Sequence, residues 1–222
     1  MSITYEPHFN GYPIQTNKEK NLGCYTDILQ KLQNQMEYMT TAHNKTFPVR
    51  LDVRYPQDYA AIPQQKDFSR FCKNFKRNLE NNCPIPKEGQ VRGRRPKCAD
   101  GQPVTPKHRV DPTIVLVPEQ HDQNRPPHGH VVIMVNGNAK RNSKDIFKRA
   151  EREWGTAIGV ENPKGLVHLC DGHHFIDRNA DFEASVQAAF LHNSYVAKVR
   201  GKEHRSKGAW KVIGSRIPKA GK

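Results

Sequence analysis

Two stretches decide how this chain folds: Thr113–Gln120, TIVLVPEQ, and His130–Asn138, HVVIMVNGN. Both are short, rich in β-branched residues and bounded by turn formers, which marks them as neighbouring strands joined by the polar segment His121–Pro127. Upstream, in PVRLDVRYP (Pro48–Pro56), Val49, Leu51, Val53 and Tyr55 alternate with Arg50, Asp52 and Arg54. That is a strand with one apolar face, stopped by Pro56. Helical spacing appears in Ile28, Leu32, Met36 and Met39 between Gly23 and His43, with Thr26 and Asp27 as candidate caps. It returns in Phe68, Phe71, Cys72, Phe75 and Leu79, and again in Ile146, Ala150, Trp154 and Ile158 between Ser143 and Gly159. GLVHL (Gly165–Leu169) is a further short strand, and a last helix is expected from Asp181 to Val199. This order predicts an α+β fold, an antiparallel sheet with helices packed on it.

Between Asn81 and Pro112 the periodicity dissolves. Pro84, Pro86, Pro96, Pro103, Pro106 and the run VRGRRPK (Val91–Lys97) make residues 82–112 a long basic loop. It is either a solvated insertion or an arm that reaches phosphates through Arg92, Arg94, Arg95 and Lys97. The 222 residues fit one domain, residues 46–222, preceded by an N-terminal helical extension, residues 1–45. Lys and Arg total 36 against 22 Asp and Glu, a net charge of +14, so a polyanion is the expected partner. No apolar run approaches membrane-spanning length, and Met1–Asn10 lacks a signal-peptide pattern. The five cysteines are odd in number and widely spaced, which predicts reduced thiols in a cytoplasm rather than a disulfide framework. Cys72, Cys83, Cys98 and His108 fit no paired zinc spacing.

His128 and His130 are two apart at the start of a strand, so both imidazoles point to one side and can share a metal ion. With 11 His in the chain, such a pair arises by chance roughly half the time, so the spacing alone carries little. Glu119, which ends the preceding strand, returns to the same level in a hairpin and offers an oxygen ligand. His121 and Asp122 in the loop are rival third ligands. Two imidazoles and a carboxylate with open positions suit Mg²⁺ or Mn²⁺ holding a phosphate oxygen better than a closed zinc site. In HNSYVAKVRGK, Tyr195 and Lys198 are i, i+3 and therefore neighbours on a helix, away from the Val186, Phe190 and Ala197 stripe. A phenol is a poor nucleophile at neutral pH, and a polarising metal and a nearby cation compensate for that in phosphoryl transfer. The cluster Asp171, His173, His174 and Asp177 is expected to be a polar loop. Trp154 is expected in the core, and Trp210 and Tyr55 are weaker candidates for stacking on bases.

In combination these motifs resemble the HUH endonucleases that nick single-stranded DNA to start rolling-circle replication. The chain is similar to the replication-initiator family of filamentous phages (inoviruses), which shares the YagK/YfjJ C-terminal domain. The resemblance runs from about Val49 to Arg216. It is carried by RLDVRYP, PEQ…PHGHVVIMVNGN, REWGTAIG, GLVHL, NSYVAKVRGK and GSR. It implies a Rep-like fold with an RRM-like core, and a divalent ion held by Glu119, His128 and His130. It further implies attack by Tyr195 to leave a 5′-phosphotyrosyl link, and Lys198 placed to stabilise charge. Single-stranded DNA at a replication origin would be the substrate, with Arg200 and Lys202 among its contacts, in a bacterial cytoplasm. No G-x-x-x-x-G-K-[ST] loop occurs, so a helicase, like the polymerase, would be a host protein. Two positions depart from the family's pattern: Gly129 stands where a larger hydrophobic residue is usual, and Pro118 where Arg is usual. Gly129 is expected to loosen the strand. The alternative reading is a DNA-binding regulator that keeps the fold without cutting.

Overall fold

Every second residue of the central strands faces one helical layer, and the residues between them face another. The computed structural model describes residues 2–59, 63–81, 108–120, 126–200, 202 and 212–217. In chain order the elements are β1 (Ile3–Thr4), β2 (His8–Phe9), β3 (Tyr12–Pro13), β4 (Cys24–Tyr25), α1 (Thr26–Ala42), β5 (Lys45–Arg54), α2 (Gln65–Glu80), β6 (Thr113–Glu119), β7 (His128–Asn136), α3 (Ser143–Ile158), β8 (Val167–Leu169), β9 (Ile176–Asp177), α4 (Phe182–Asn193), a 3-10 turn (Ser194–Ala197) and β10 (Ile213–Gly214). β7 lies between β5 and β6, β10 extends the sheet beyond β6, and β8 and β9 pair with the far edge of β5. All these pairings are antiparallel. The expected α+β class, an antiparallel sheet with helices packed against it, is the architecture observed. The short strands β1–β4, β9 and β10 are additions to the sequence reading, two-residue segments too brief for a periodic signal.

The central run VVIMV is apolar at consecutive positions because the sheet is covered on both faces. Val131, Ile133 and Val135 join Phe47, Val49, Leu51, Val53, Ile114 and Leu116 beneath α2 and α3. Val132 and Met134 join Val115 and Val117 beneath α1 and α4. Trp154 is fully buried, stacks on Phe68 with ring centroids 5.3 Å apart, and donates from Nε1 to the Arg54 carbonyl at 2.6 Å. Tyr55 is also buried, its hydroxyl donating to Asp67 at 3.0 Å, so it is a core residue and not a base-stacking platform.

Helix ends follow local chemistry in three cases and tertiary contacts in two others. Asn142 and Asp181 cap α3 and α4 by accepting from the backbone N–H three residues on. Gly159 closes α3 at φ 74°, a left-handed conformation that glycine adopts freely. In α1, by contrast, Tyr25 is the capping position and Thr26 and Asp27 lie inside the first turn; the Thr26 hydroxyl is bonded to that of Ser2. The last helix stops at Asn193, short of Val199. Ser194 Oγ donates to the Leu191 carbonyl and accepts from Gln15 N, which tightens the turn. Lys198 is then extended (φ −52°, ψ 138°) and forms a bridge with Cys24, and Val199 N donates to the Gly23 carbonyl at 3.0 Å. Residues 1–45 thus contain α1, which packs on the sheet, and a segment that redirects the chain after Ala197.

Gly129 pairs with Val53 on one side and Pro118 on the other, in the middle of three strands. A Cβ there would lie 3.0 Å from Phe68 Cε1 and 3.1 Å from Val53 Cγ2. The glycine makes room for the Phe68 ring, and β7 keeps its register with both neighbouring strands through it. Pro118 costs the β6–β7 ladder nothing. The Ile114 carbonyl bonds Ser215 on the β10 side, so the even-numbered backbone groups of β6 face away from β7. Gly129→Val is expected to destabilise the protein by about 1–3 kcal/mol through overpacking. Urea unfolding would measure this, and unchanged stability would show that Phe68 moves aside without cost.

Candidate metal and nucleophile site

The period of two that builds the core also builds this site. At the C-terminal end of β5 the face that carries Val132 and Met134 becomes polar. Glu119 lies opposite His128 in the β6–β7 register, and Asp52 lies opposite His130 in the β5–β7 register. One donor atom from each of Glu119, His128 and His130 lies within 4.8 Å of the others. His130 Nε2 is 2.8 Å from Glu119 Oε2, and its Nδ1 is 2.7 Å from Asp52 Oδ1. Burial alone would lower the His130 pKa, but carboxylates at both ring nitrogens raise it. Burial pushes Glu119 up as well, and His130 and Lys202 overcome it, holding this carboxyl down at about 2.

Tyr195 closes the other side. Its ring meets His130 edge-on with centroids 5.3 Å apart. Lys198 Nζ lies 4.2 Å and Arg50 Cζ 4.6 Å from the ring centroid. Burial, Glu119 and Asp52 raise the phenol pKa while Arg50 opposes them, so the hydroxyl keeps its proton at neutral pH. Burial lowers the Lys198 pKa. Tyr195 and Lys198 do not share an α-helical face: Tyr195 is in the 3-10 turn, and Lys198 follows it in extended conformation. They are nevertheless neighbours, because a 3-10 turn nearly eclipses residues three apart. A pocket of about 260 Å³ is lined by Leu22, Glu119, Tyr195, Lys198 and Arg200.

The structure therefore brings Glu119, His128, His130, Tyr195 and Lys198 together and leaves Arg200 exposed at the pocket. Lys202 is corrected. Expected at the DNA-contact surface, it is buried with Nζ 3.3 Å from Glu119 Oε2, where it neutralises a carboxylate. Arg92, Arg94, Arg95, Lys97, the rival ligands His121 and Asp122, Cys83, Cys98 and Trp210 lie outside the described residues. The cluster after Cys170 is a loop leading into β9, with His173 edge-on to Phe47 and Asp177 paired with Lys45 at 2.6 Å. Two residues were missed, Arg50 and Asp52. In the sequence they are marked only as the polar half of the β5 alternation.

Two imidazoles and a carboxylate converging on one point fit a divalent ion with positions left for substrate oxygens. Asp52 adds the hydrogen bond at Nδ1 that orients Nε2 of a metal-binding histidine. The class of site is thus a two-histidine, one-carboxylate centre with a tyrosine and a lysine at its rim, on an antiparallel α+β sheet. The chain belongs to the YagK/YfjJ C-terminal domain family, whose sequence model matches residues 4–209. No curated protein and no solved structure matches it. Among the described residues no helix is long and apolar enough to cross a membrane.

Two outcomes are expected. Asp52→Asn should weaken Mn²⁺ binding by about 10–100-fold in calorimetry, the usual effect of losing such a partner. The second concerns His192, whose pKa burial, Arg50, His174 and His173 push down to about 4. A depressed histidine contributes stability that is complete above its unfolded pKa of about 6.5 and is lost as pH falls toward the folded value. Between pH 7 and pH 5 the urea midpoint of His192→Asn should therefore fall less than that of the wild type.

Proposed function

We propose that this protein is a metal-dependent single-strand DNA endonuclease and strand transferase of the HUH type, serving as the replication initiator of a filamentous phage or related mobile element. The observation that carries this reading is the packing of the Tyr195 ring directly against His130 of the metal triad, with two cations on the ring. Glu119, His128 and His130 would hold Mg²⁺ or Mn²⁺. Such an ion supplies Lewis-acid polarisation of a phosphate oxygen.

The remaining work falls to the chain. Arg50 and Lys198 hold the phenol ring in place, and Lys198 stabilises charge on the transferring group. The Tyr195 hydroxyl oxygen bonds to phosphorus as the bond from phosphorus to the 3′ oxygen breaks. The phenolic proton ends on the released 3′-hydroxyl, and the phosphate remains on the protein as a 5′-phosphotyrosyl ester. The free 3′-hydroxyl then primes synthesis by the host polymerase, with a host helicase opening the duplex. One tyrosine supports one transfer, so a second requires turnover of the adduct or a second protomer.

The test uses single-stranded oligonucleotides tiled across the encoding element, with Mn²⁺ and intact-mass detection. An adduct on Tyr195 is expected, absent in Tyr195→Phe, in His128→Ala and with EDTA. Tight binding with no adduct for any tile would overturn the nuclease reading in favour of a regulator that binds without cutting. Lys198→Met is expected to slow adduct formation by about 10²–10³-fold, the usual effect of removing a charge-stabilising group, and an unchanged rate would remove that role.

A further inference from the structure

The two helical layers present opposite charge to solvent. Among the described residues of α2 and α3, the exposed ionisable side chains are Lys66, Arg70, Lys73, Arg77, Lys144 and Lys148, against the single carboxylate Glu80. On α1 and α4 they are Asp27, Glu37 and Glu183, with no exposed base. Lys66, Arg70, Lys73 and Arg77 are spaced four, three and four apart, so they fall in one arc of about 60° and run for about 16 Å along the helix. Phe68, Phe71, Phe75 and Leu79 are buried on the opposite side, which fixes that arc outward.

A helix face that merely keeps a protein solvated mixes signs and pairs them at i, i+4. On α2 the pair of that kind is Lys76 with Glu80, at 3.7 Å. Lys66, Lys73 and Arg77 form no ion pair among the described residues; Arg70 reaches Asp67 at 3.5 Å and the Ala157 carbonyl at 2.6 Å. All three aromatic rings of α2 are buried, so the stripe lacks the stacking platforms of a single-strand track. A row of cations without rings matches a phosphate backbone read without its bases. The stripe also starts at the right place: Arg54 lies opposite His128 at the site end of β5, and the Tyr55–Asp67 hydrogen bond ties that end to the first turn of α2.

We infer that the α2 face, extended by Lys144 and Lys148 of α3, is a docking surface for duplex nucleic acid flanking the single-stranded segment at the candidate site. The inference rests on the nucleic-acid part of the proposed function and not on cleavage.

The test compares wild type with Lys66→Gln/Lys73→Gln/Arg77→Gln, which leaves the structural contacts of Arg70 intact. Binding of a 20-base-pair duplex and of a single strand is followed by fluorescence anisotropy across a salt series. Each lost phosphate contact lowers the magnitude of the log K against log salt slope by about 0.9 for a duplex. The duplex slope should therefore fall by about 2 to 3, with affinity at 0.1 M salt reduced at least tenfold. Single-strand binding should change little, and Glu37→Gln/Glu183→Gln on the opposite layer should show none of this loss. An unchanged duplex slope would overturn the inference, and an equal loss on the single strand would replace the duplex with a single-strand track. If wild type forms no adduct but the duplex effect appears, the nuclease reading fails and this one stands.

Discussion

A row of alternating charge crosses three neighbouring strands: Asp52 on β5, His130 on β7, Glu119 on β6, with Lys202 at its end. Their side chains are between 1% and 13% exposed. Buried ions are tolerable only when paired and hydrogen-bonded, and removing one member of such a row leaves its neighbour stranded. The row therefore ties the site to the strand register. A slip of one residue in β7 would turn His128 and His130 toward Phe68 and Trp154, and Gly129 outward. The core and the site are alternate outcomes of the same pairing and stand or fall together.

The opposite face shows how closely the two are matched. Phe68 fills the space above Gly129, and Trp154 stacks on Phe68 while bonding the Arg54 carbonyl. An aromatic layer thus supports, from beneath, the end of the sheet where the histidines emerge. Gly129, between the histidines, leaves the space that Phe68 fills. From above, the N-terminal segment performs a similar service: Gln15 bonds Ser194, and Gly23 and Cys24 draw residues 198 and 199 out of the helix. Residues before β5 therefore help to set where Tyr195 and Lys198 stand, consistent with a family match that begins at residue 4.

Sequence periodicity disclosed the main elements wherever burial was regular. β5, α2, β6, β7 and α3 were legible because their apolar residues recur at two or at 3.6 positions. It failed where the determining contact was distant. Nothing near Ala197 announces that the helix has already ended, since that depends on Gln15 and Gly23. Lys202 looked like one more surface cation in a basic chain, and became a buried partner of Glu119 only when the fold brought them together. Arg50 and Asp52 were visible as the polar half of an alternating strand, but alternation does not distinguish solvent from a lined cavity.

By itself, then, the sequence determined that Glu119, His128 and His130 stand on neighbouring strands with their side chains on one side. Strand alternation and hairpin return are local, and they follow from residue order. Only the tertiary structure decided that Asp52 would orient His130, that Lys202 would face Glu119, and that Arg50 would lie over the Tyr195 ring. Those relations join segments more than seventy residues apart, and they are selected by how two helical layers pack on a sheet, which no local period encodes.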